Sequence, residues 1–274
     1  MKFTIKQMLA LSALAVGASP AFADVYLPST NNGELTLFVQ NQTAGTTYTR
    51  GLTSRLDQIQ TSGAIQADVT NGTYTVGEAV TGFSFGTIAA DGNLTSFLGS
   101  AGANDVIVWS VVGGDSGNSN NVAEERYVTT AQADLSGGTS VTNGQLRSVY
   151  SQLEGVLNTN NGFIAGDVLG DGSSTPAGAT PFYTTTAENW FGAGPHQASV
   201  LDRTLGSTAN FYMLASAGGG TSNSAMVYSL ARVTLDGQGN LSMVAAPVPL
   251  PAALWLLGSG LLGLAGVSRR KQQA

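Results

Sequence analysis

The sequence has no cysteine and a single histidine, His196, among its 274 residues. Without cysteine the protein can form no disulfide bond, no thiolate metal site and no thiol-based active site. It also cannot be anchored as a lipoprotein, because that linkage requires an N-terminal cysteine. The side chains that remain for chemistry are one imidazole, carboxylates and hydroxyl groups.

Lysine is absent between Lys6 and Lys271. Residues 24–246 contain six arginines and all 17 acidic residues, so their net charge is −11 with the histidine neutral. Nucleic acid phosphates attract cations, and this charge argues against nucleic acid as a partner. The low charged fraction of 10%, with 36 glycines, is typical of an exported β-rich protein with many turns.

Residues 1–23 have the three parts of a secretory signal peptide. Lys2 and Lys6 form a basic region, an apolar stretch lies between residues 8 and 16, and Ala21 and Ala23 offer small side chains for signal peptidase. The apolar stretch is shorter than the roughly 20 residues that a membrane span needs. We therefore predict export through the Sec translocon and cleavage by signal peptidase after Ala23.

Residues 24–245 are predicted to form one exported β-rich domain. Alternating or β-branched runs predict strands at 34–40, 46–49, 72–76, 82–88, 105–112, 126–130 and 209–215. The runs 225–235 and 241–244, joined by a glycine-rich turn, predict a hairpin. The run 105–112 is nearly all apolar, which indicates a buried central strand, and we expect it to end at Gly113 and Gly114.

One amphipathic helix is predicted over residues 142–157. Leu146, Leu153 and Leu157 recur at helical spacing, and Thr142 followed by Gln145 has the pattern of a capping box. Many short strands with one helix predict a mainly-β fold, as a β-sandwich or jelly-roll-like domain.

The C-terminal segment 246–274 has three features in sequence. First is a proline motif, consisting of Val248, Pro249, Leu250, Pro251 and Ala252. Its prolines fix φ and hold the backbone extended, which is the form that a peptidase cleft binds. Next, residues 252–267 are uncharged and mostly apolar and predict a transmembrane helix of roughly 24 Å, which is short for a permanent anchor.

The third feature is a basic end formed by Arg269, Arg270 and Lys271. Positive charge beside an apolar segment stops transfer and marks the cytoplasmic side. The three-part arrangement resembles the PEP-CTERM family of sorting signals in its VPLPA variant, with Pro-Leu-Pro where that family more often has Pro-Glu-Pro. A plain membrane anchor with a chance proline motif is the alternative.

The resemblance implies cleavage by an exosortase near Pro251 and Ala252. It further implies transient insertion in the inner membrane, then a place on the cell surface or in the extracellular matrix, in association with exopolysaccharide or a biofilm. The leading hypothesis is a non-enzymatic surface protein without a cofactor. The alternatives are a carbohydrate-binding module that retains exopolysaccharide and a secreted hydrolase that uses paired carboxylates.

Three further patterns suggest sites in the middle of the chain. Gly114-Asp115-Ser116-Gly117 is similar to the nucleophile loop of chymotrypsin-like proteases, but His196 lies downstream of the serine, so we interpret the segment as a polar loop. Asp167 and Asp171 in a glycine-rich stretch could hold Ca²⁺ weakly. Trp190 and Phe191 are the best candidates for a carbohydrate contact, with packing against the core edge as the alternative.

Overall fold

The computed structural model describes residues 33–80, 82–116, 125–131, 134–138, 141–146, 153, 157, 203–216 and 223–245. The predicted signal peptide and the C-terminal segment 246–274 lie outside the described residues. No helix within the described ranges is long and apolar enough to cross a membrane.

The described part of the chain is dominated by one sheet of ten strands. The strands are β1 (Glu34–Asn41), β2 (Thr46–Arg55), β3 (Glu78–Ala79), β4 (Thr87–Ile88), β5 (Ile107–Ser116), β6 (Glu125–Ala131), β7 (Arg203–Thr204), β8 (Thr208–Ala215), β9 (Met226–Leu235) and β10 (Leu241–Ala245). The helices are α1 (Leu56–Ile59), α2 (Ser62–Asn71) and α3 (Gly92–Gly99). The strand order is β2-β1-β5-β6-β8-β9-β10-β4, with β3 beside β9 and β7 beside β5.

The sheet curls until its two ends are joined by side chains. All of its strand pairs are antiparallel except β3 with β9. At one end, β4 pairs with β10. The residues that follow β4 reach β2 at the other end: Arg50 Nη1 donates to the carbonyl oxygen of Ala89 over 2.8 Å, and the Tyr48 hydroxyl donates to Asp91 Oδ2 over 2.9 Å. The result is a half-barrel.

Both faces of the sheet are covered, because side chains alternate along each strand. Leu35 and Leu37 of β1 belong to the core under α1, α2 and α3, together with Trp109 of β5. Phe38, the residue after Leu37, belongs to the core on the other face, which includes Leu146. Strand β1 is therefore buried on both faces, as is β6.

The mainly-β prediction is confirmed, but the predicted sandwich of two sheets is not what the described residues form. They build one continuous curled sheet. The predicted strands at 34–40, 46–49, 126–130 and 209–215 are present, and so is the hairpin of β9 and β10. In the turn of this hairpin, Asp236 Oδ1 accepts hydrogen bonds from the backbone N–H groups of Gln238 and Asn240.

Two strand predictions were wrong in whole or in part. Residues 72–76 follow α2, whose C-cap is Gly72 with φ of +63°. The Tyr74 hydroxyl ties this segment to the sheet, in place of strand pairing. In the run 82–88 only Thr87 and Ile88 pair, because Gly82 and Gly86 adopt positive φ.

The end of the central strand was also misplaced. β5 continues through both glycines to Ser116. A Cβ on Gly113 would lie 2.8 Å from Leu35 Cδ2 and 3.1 Å from Leu56 Cδ1. Glycine stands here because α1 packs directly on the strand, so it marks close packing and not a strand end.

The predicted helix after residue 142 is confirmed where it is described. Residues 143–146, 153 and 157 are helical, and Leu146, Leu153 and Leu157 are buried. The capping box is present: Gln145 N–H donates to Thr142 Oγ1 over 3.3 Å, and Thr142 N–H donates to Gln145 Oε1 over 2.8 Å. The expectation of one helix was wrong, since α1 to α3 are additional.

Candidate functional site

Most of the residues singled out from the sequence lie outside the described ranges. They are Ala21, Ala23, Asp167, Asp171, Trp190, Phe191, the proline motif Val248, Pro249, Leu250, Pro251 and Ala252, and the basic end Arg269, Arg270 and Lys271. The structure does not test the predictions made for them. The structure does describe the strand that leads into the C-terminal segment, and the clusters of charged and phenolic side chains around the sheet.

Strand β10 is the last described element before the C-terminal segment. Its residues pair antiparallel with β9, from Leu241 opposite Leu235 to Ala245 opposite Ala231. On its other edge, Met243 N–H donates to the carbonyl oxygen of Gly86 over 2.9 Å. The first half of β10 is thus an interior strand, while Val244 near its end has 66% of its surface exposed.

The part of β9 that precedes Ala231 is paired with β3 and not with β10. In this parallel pair, Glu78 lies opposite Tyr228 and Ala79 opposite Ser229. The amide N–H of Val80 donates to the carbonyl oxygen of Ser229 over 2.9 Å. β3 and β10 therefore pair with the same edge of β9, at successive positions along that strand.

The turn before β3 is fixed by Gly77. Its φ is +72°, and its N–H donates to the carbonyl oxygen of Val227 over 3.0 Å. A Cβ at this position would lie 2.2 Å from the carbonyl oxygen of Ser136. Both the backbone angle and the close approach require glycine, so β3 is held in place before its first residue.

The predicted polar loop at Gly114-Asp115-Ser116 is wrong, because residues 114–116 belong to β5. Asp115 lies opposite Arg126 of β6, and the two side chains form an ion pair with no exposed surface. Arg126 Nη2 also donates to Asp57 Oδ1 over 2.9 Å, and Nη1 donates to the carbonyl oxygen of Gln60. The arginine joins α1 and the residue after it to two strands.

A second cluster joins α2 to β9. The Tyr228 hydroxyl donates to Asp68 Oδ2 over 2.9 Å, and the rings of Tyr228 and Tyr74 lie 5.3 Å apart. Burial, followed by the hydrogen bond to Asp68, raises the pKa of Tyr228 well above its usual range. Burial likewise raises the pKa of Tyr74, whose hydroxyl bonds to the backbone of Val227.

A third contact links β8 to the loop before the capped helix. The Tyr212 hydroxyl donates to Asp134 Oδ1 over 2.8 Å. Burial and this hydrogen bond raise the pKa of Tyr212 to about 12. Hydrogen bonds from the backbone and side chain of Ser136 and from Tyr212 lower the pKa of Asp134.

These contacts hold helices and loops onto the sheet. Within the described ranges, no group of three or more His, Asp or Glu side chains is placed to bind a metal ion. Asp57 and Asp115 both bind the guanidinium group of Arg126. Asp57, Asp68, Asp115 and Asp134 each accept a hydrogen bond from another element of the fold.

The C-terminal segment of the chain matches a known protein family. Residues 247–271 match the family model of the PEP-CTERM protein-sorting motif. The chain carries a PEP-CTERM sorting motif. No curated protein and no solved structure matches the chain. The resemblance seen in the proline motif and the basic end is thereby confirmed.

The PEP-CTERM motif begins directly behind the sheet. β10 ends at Ala245, and only Ala246 separates it from the first residue of the motif at 247. The sequence predicted the motif and the β9–β10 hairpin but missed β3, whose two paired residues give no periodic signal. It also missed the ion pair of Arg126, although a lone arginine inside an alternating strand was a signal that could have revealed it.

Proposed function

We propose that this chain is an exported surface or matrix protein whose C-terminus is removed by an exosortase. The observation that carries the proposal is the PEP-CTERM motif at 247–271, immediately behind the last strand of the sheet. The signal peptide at 1–23 directs export, and the apolar helix 252–267 with its basic end holds the chain transiently in the inner membrane.

The short connection sets the position of the domain during cleavage. From Ala245 to Ala252 an extended chain spans roughly 25 Å, at about 3.5 Å per residue. The half-barrel is thus held near the membrane surface while the exosortase acts near Pro251. After cleavage, the mature domain keeps only a few residues beyond β10 and no longer carries the apolar helix 252–267.

Mass spectrometry of the mature protein tests this function. In cells with the exosortase we expect an N-terminus at Asp24 and a C-terminus close to Pro251; in cells without it, the chain should end at Ala274. The double change of Pro249→Ala and Pro251→Ala should give the uncleaved form in both strains. Gln272→Ala, outside the matched residues, is the control and should be cleaved normally. A C-terminus at Ala274 in both strains for the wild type would refute the proposal.

The role of the exported domain is proposed to be non-enzymatic retention in an exopolysaccharide matrix. A sugar-binding surface usually offers aromatic faces. The large apolar side chains exposed in the described part of the chain are Val76, Val106 and Val244, all aliphatic. Trp190 and Phe191, two neighbouring aromatic side chains in a glycine-rich segment, are the candidates for the contact with carbohydrate.

Binding to the producing cell's own polysaccharide tests this second proposal. Trp190→Ala should reduce binding, whereas Trp190→Phe keeps an aromatic face and should retain most of it. Phe191→Ala provides an independent second change. Absence of binding by the wild-type protein, or binding by Trp190→Ala and Phe191→Ala that equals that of the wild type, would rule out this role without affecting the sorting proposal.

A further inference from the structure

The register of β10 defines the edge of the sheet along which a continuation of this strand would run. Ala245 lies opposite Ala231 of β9. Strand β9 is irregular at Leu230, because its pairing with β8 shifts from Ala231 opposite Phe211 to Ser229 opposite Tyr212. If β10 continued past this irregularity, residues 246–248 would run beside Leu230, Ser229 and Tyr228 of β9. The motif would then become the end of an edge strand, with its backbone paired to the domain.

The prolines of the motif would not prevent this pairing. Met243 N–H faces β4, because it donates to Gly86. Backbone N–H groups alternate along a strand, so odd-numbered positions face away from β9 and even-numbered positions, such as Val248, face it. The missing N–H groups would all lie on the outer side, where an edge strand tolerates proline. The positions concerned are Pro247, Pro249 and Pro251.

The place that the motif would take is occupied by β3. Glu78 and Ala79 pair with Tyr228 and Ser229, and Val80 N–H donates to Ser229 O. Gly77 fixes the turn that delivers β3 to this edge.

We propose that β3 is a stop that keeps the sorting motif off the sheet and so available to the exosortase. This inference rests on the proposed sorting function. A peptidase needs the backbone of its substrate unpaired, and a motif paired to β9 would have to detach first. Two ladder hydrogen bonds of ordinary strength would leave about one molecule in ten or fewer detached, so loss of β3 should slow cleavage by roughly tenfold.

Hydrogen exchange on the uncleaved wild-type protein is the first test. The protein is purified in detergent from cells lacking the exosortase, so it retains the whole chain. The amides of Ala246, Val248 and Leu250 should exchange at the rate of open chain, and that of Val80 should be protected. Slow exchange at Val248 in the wild type would overturn the proposal, because β3 would then not exclude the motif.

Variants that dislodge β3 are the second test. Gly77→Ala places a Cβ against Ser136 O, and Val80→Pro removes the N–H that bonds to Ser229. Gly82→Ala is the matched control, because Gly82 also has positive φ, +88°, but has no atom within 4 Å of the added Cβ. Its β3 should stay protected and its cleavage should match the wild type.

In both disruptive variants we expect the amide of Val248 to become protected and exosortase cleavage to slow by roughly tenfold. If the residues of β3 exchange freely while Val248 stays unprotected and cleavage is normal, the proposal is refuted. If either variant does not fold, the wild-type exchange pattern still decides. Failure of the wild type to be cleaved in any strain would refute the sorting function alone, because hydrogen exchange tests β3 without the exosortase.

Discussion

Arg126 and Asp115 lie opposite each other on β6 and β5, and neither side chain has any surface exposed to solvent. The same guanidinium group donates to Asp57 in α1 and to the carbonyl oxygen of Gln60 just after it. One side chain therefore fixes both the pairing of two strands and the position of the helix that packs on Gly113. Such a residue is costly to remove, because its buried partner Asp115 is left without a cation.

Replacing Arg126 with Met should destabilise the mature protein by about 3–5 kcal/mol, since it leaves the buried carboxylate of Asp115 without its cation. Asp57→Asn should cost at most about 1 kcal/mol, because 45% of the Asp57 side chain is exposed. Urea unfolding measures both changes. The double change of Arg126→Met and Asp115→Leu should recover part of the loss. Equal stability of Arg126→Met and the wild type would contradict the importance of this pair.

The sequence predicted the strands whose pattern reflects local burial, such as β1 and β8, and the hairpin whose turn is made by Asp236 and Asn240. It also predicted the capping box of Thr142 and Gln145. These features depend on neighbours in the chain, and the residues that form them are within a few positions of each other.

It could not predict features that depend on distant partners. Gly113 was interpreted as a strand end, because nothing nearby shows that Leu56 packs against it. Tyr74 was assigned to a strand, whereas its hydroxyl bonds to Val227, distant in sequence. The half-barrel itself depends on the contacts of Arg50 with Ala89, which no periodicity encodes. The C-terminal motif was recognised because all its parts are contiguous.

Gly113→Ala tests the close packing of α1 on β5. The added Cβ would lie 2.8 Å from Leu35 Cδ2, so the core must shift, and we expect a loss of about 1–3 kcal/mol. Gly92→Ala in α3 is the control, since no atom lies within 4 Å of its added Cβ, and alanine favours a helix. Its stability should equal or exceed that of the wild type. A neutral Gly113→Ala would show that α1 can move away from the strand.

Asp91 combines two roles that different substitutions separate. Its Oδ1 accepts from Leu94 N–H over 2.8 Å and caps α3, while Oδ2 accepts from the Tyr48 hydroxyl over 2.9 Å. Asp91→Ala loses both bonds and should cost about 2 kcal/mol. Asp91→Ser keeps a capping oxygen but does not reach Tyr48, so it should cost about half as much. Equal losses in the two variants would show that the cap contributes nothing, and denaturant midpoints distinguish the outcomes.

The burial of Tyr212 and its hydrogen bond to Asp134 make the stability of the protein fall in alkali. The pKa of Tyr212 is raised to about 12 in the folded protein from an ordinary value of 10.0, so the folded state binds its proton more tightly. The stabilisation that this provides is complete below pH 10.0 and is lost as pH rises towards about 12.

Urea midpoints measured from about pH 9 upward test this linkage. The wild type should lose stability across that window, and Tyr212→Phe should lose less, because phenylalanine has no proton to release. Some decline should persist in Tyr212→Phe, since burial also raises the pKa of Tyr228 and of Tyr74. Asp134→Asn removes the carboxylate that favours the protonated phenol. Over this pH range its stability should therefore also fall less than that of the wild type. Identical pH dependence in the wild type and Tyr212→Phe would mean that Tyr212 titrates alike in the folded and unfolded states.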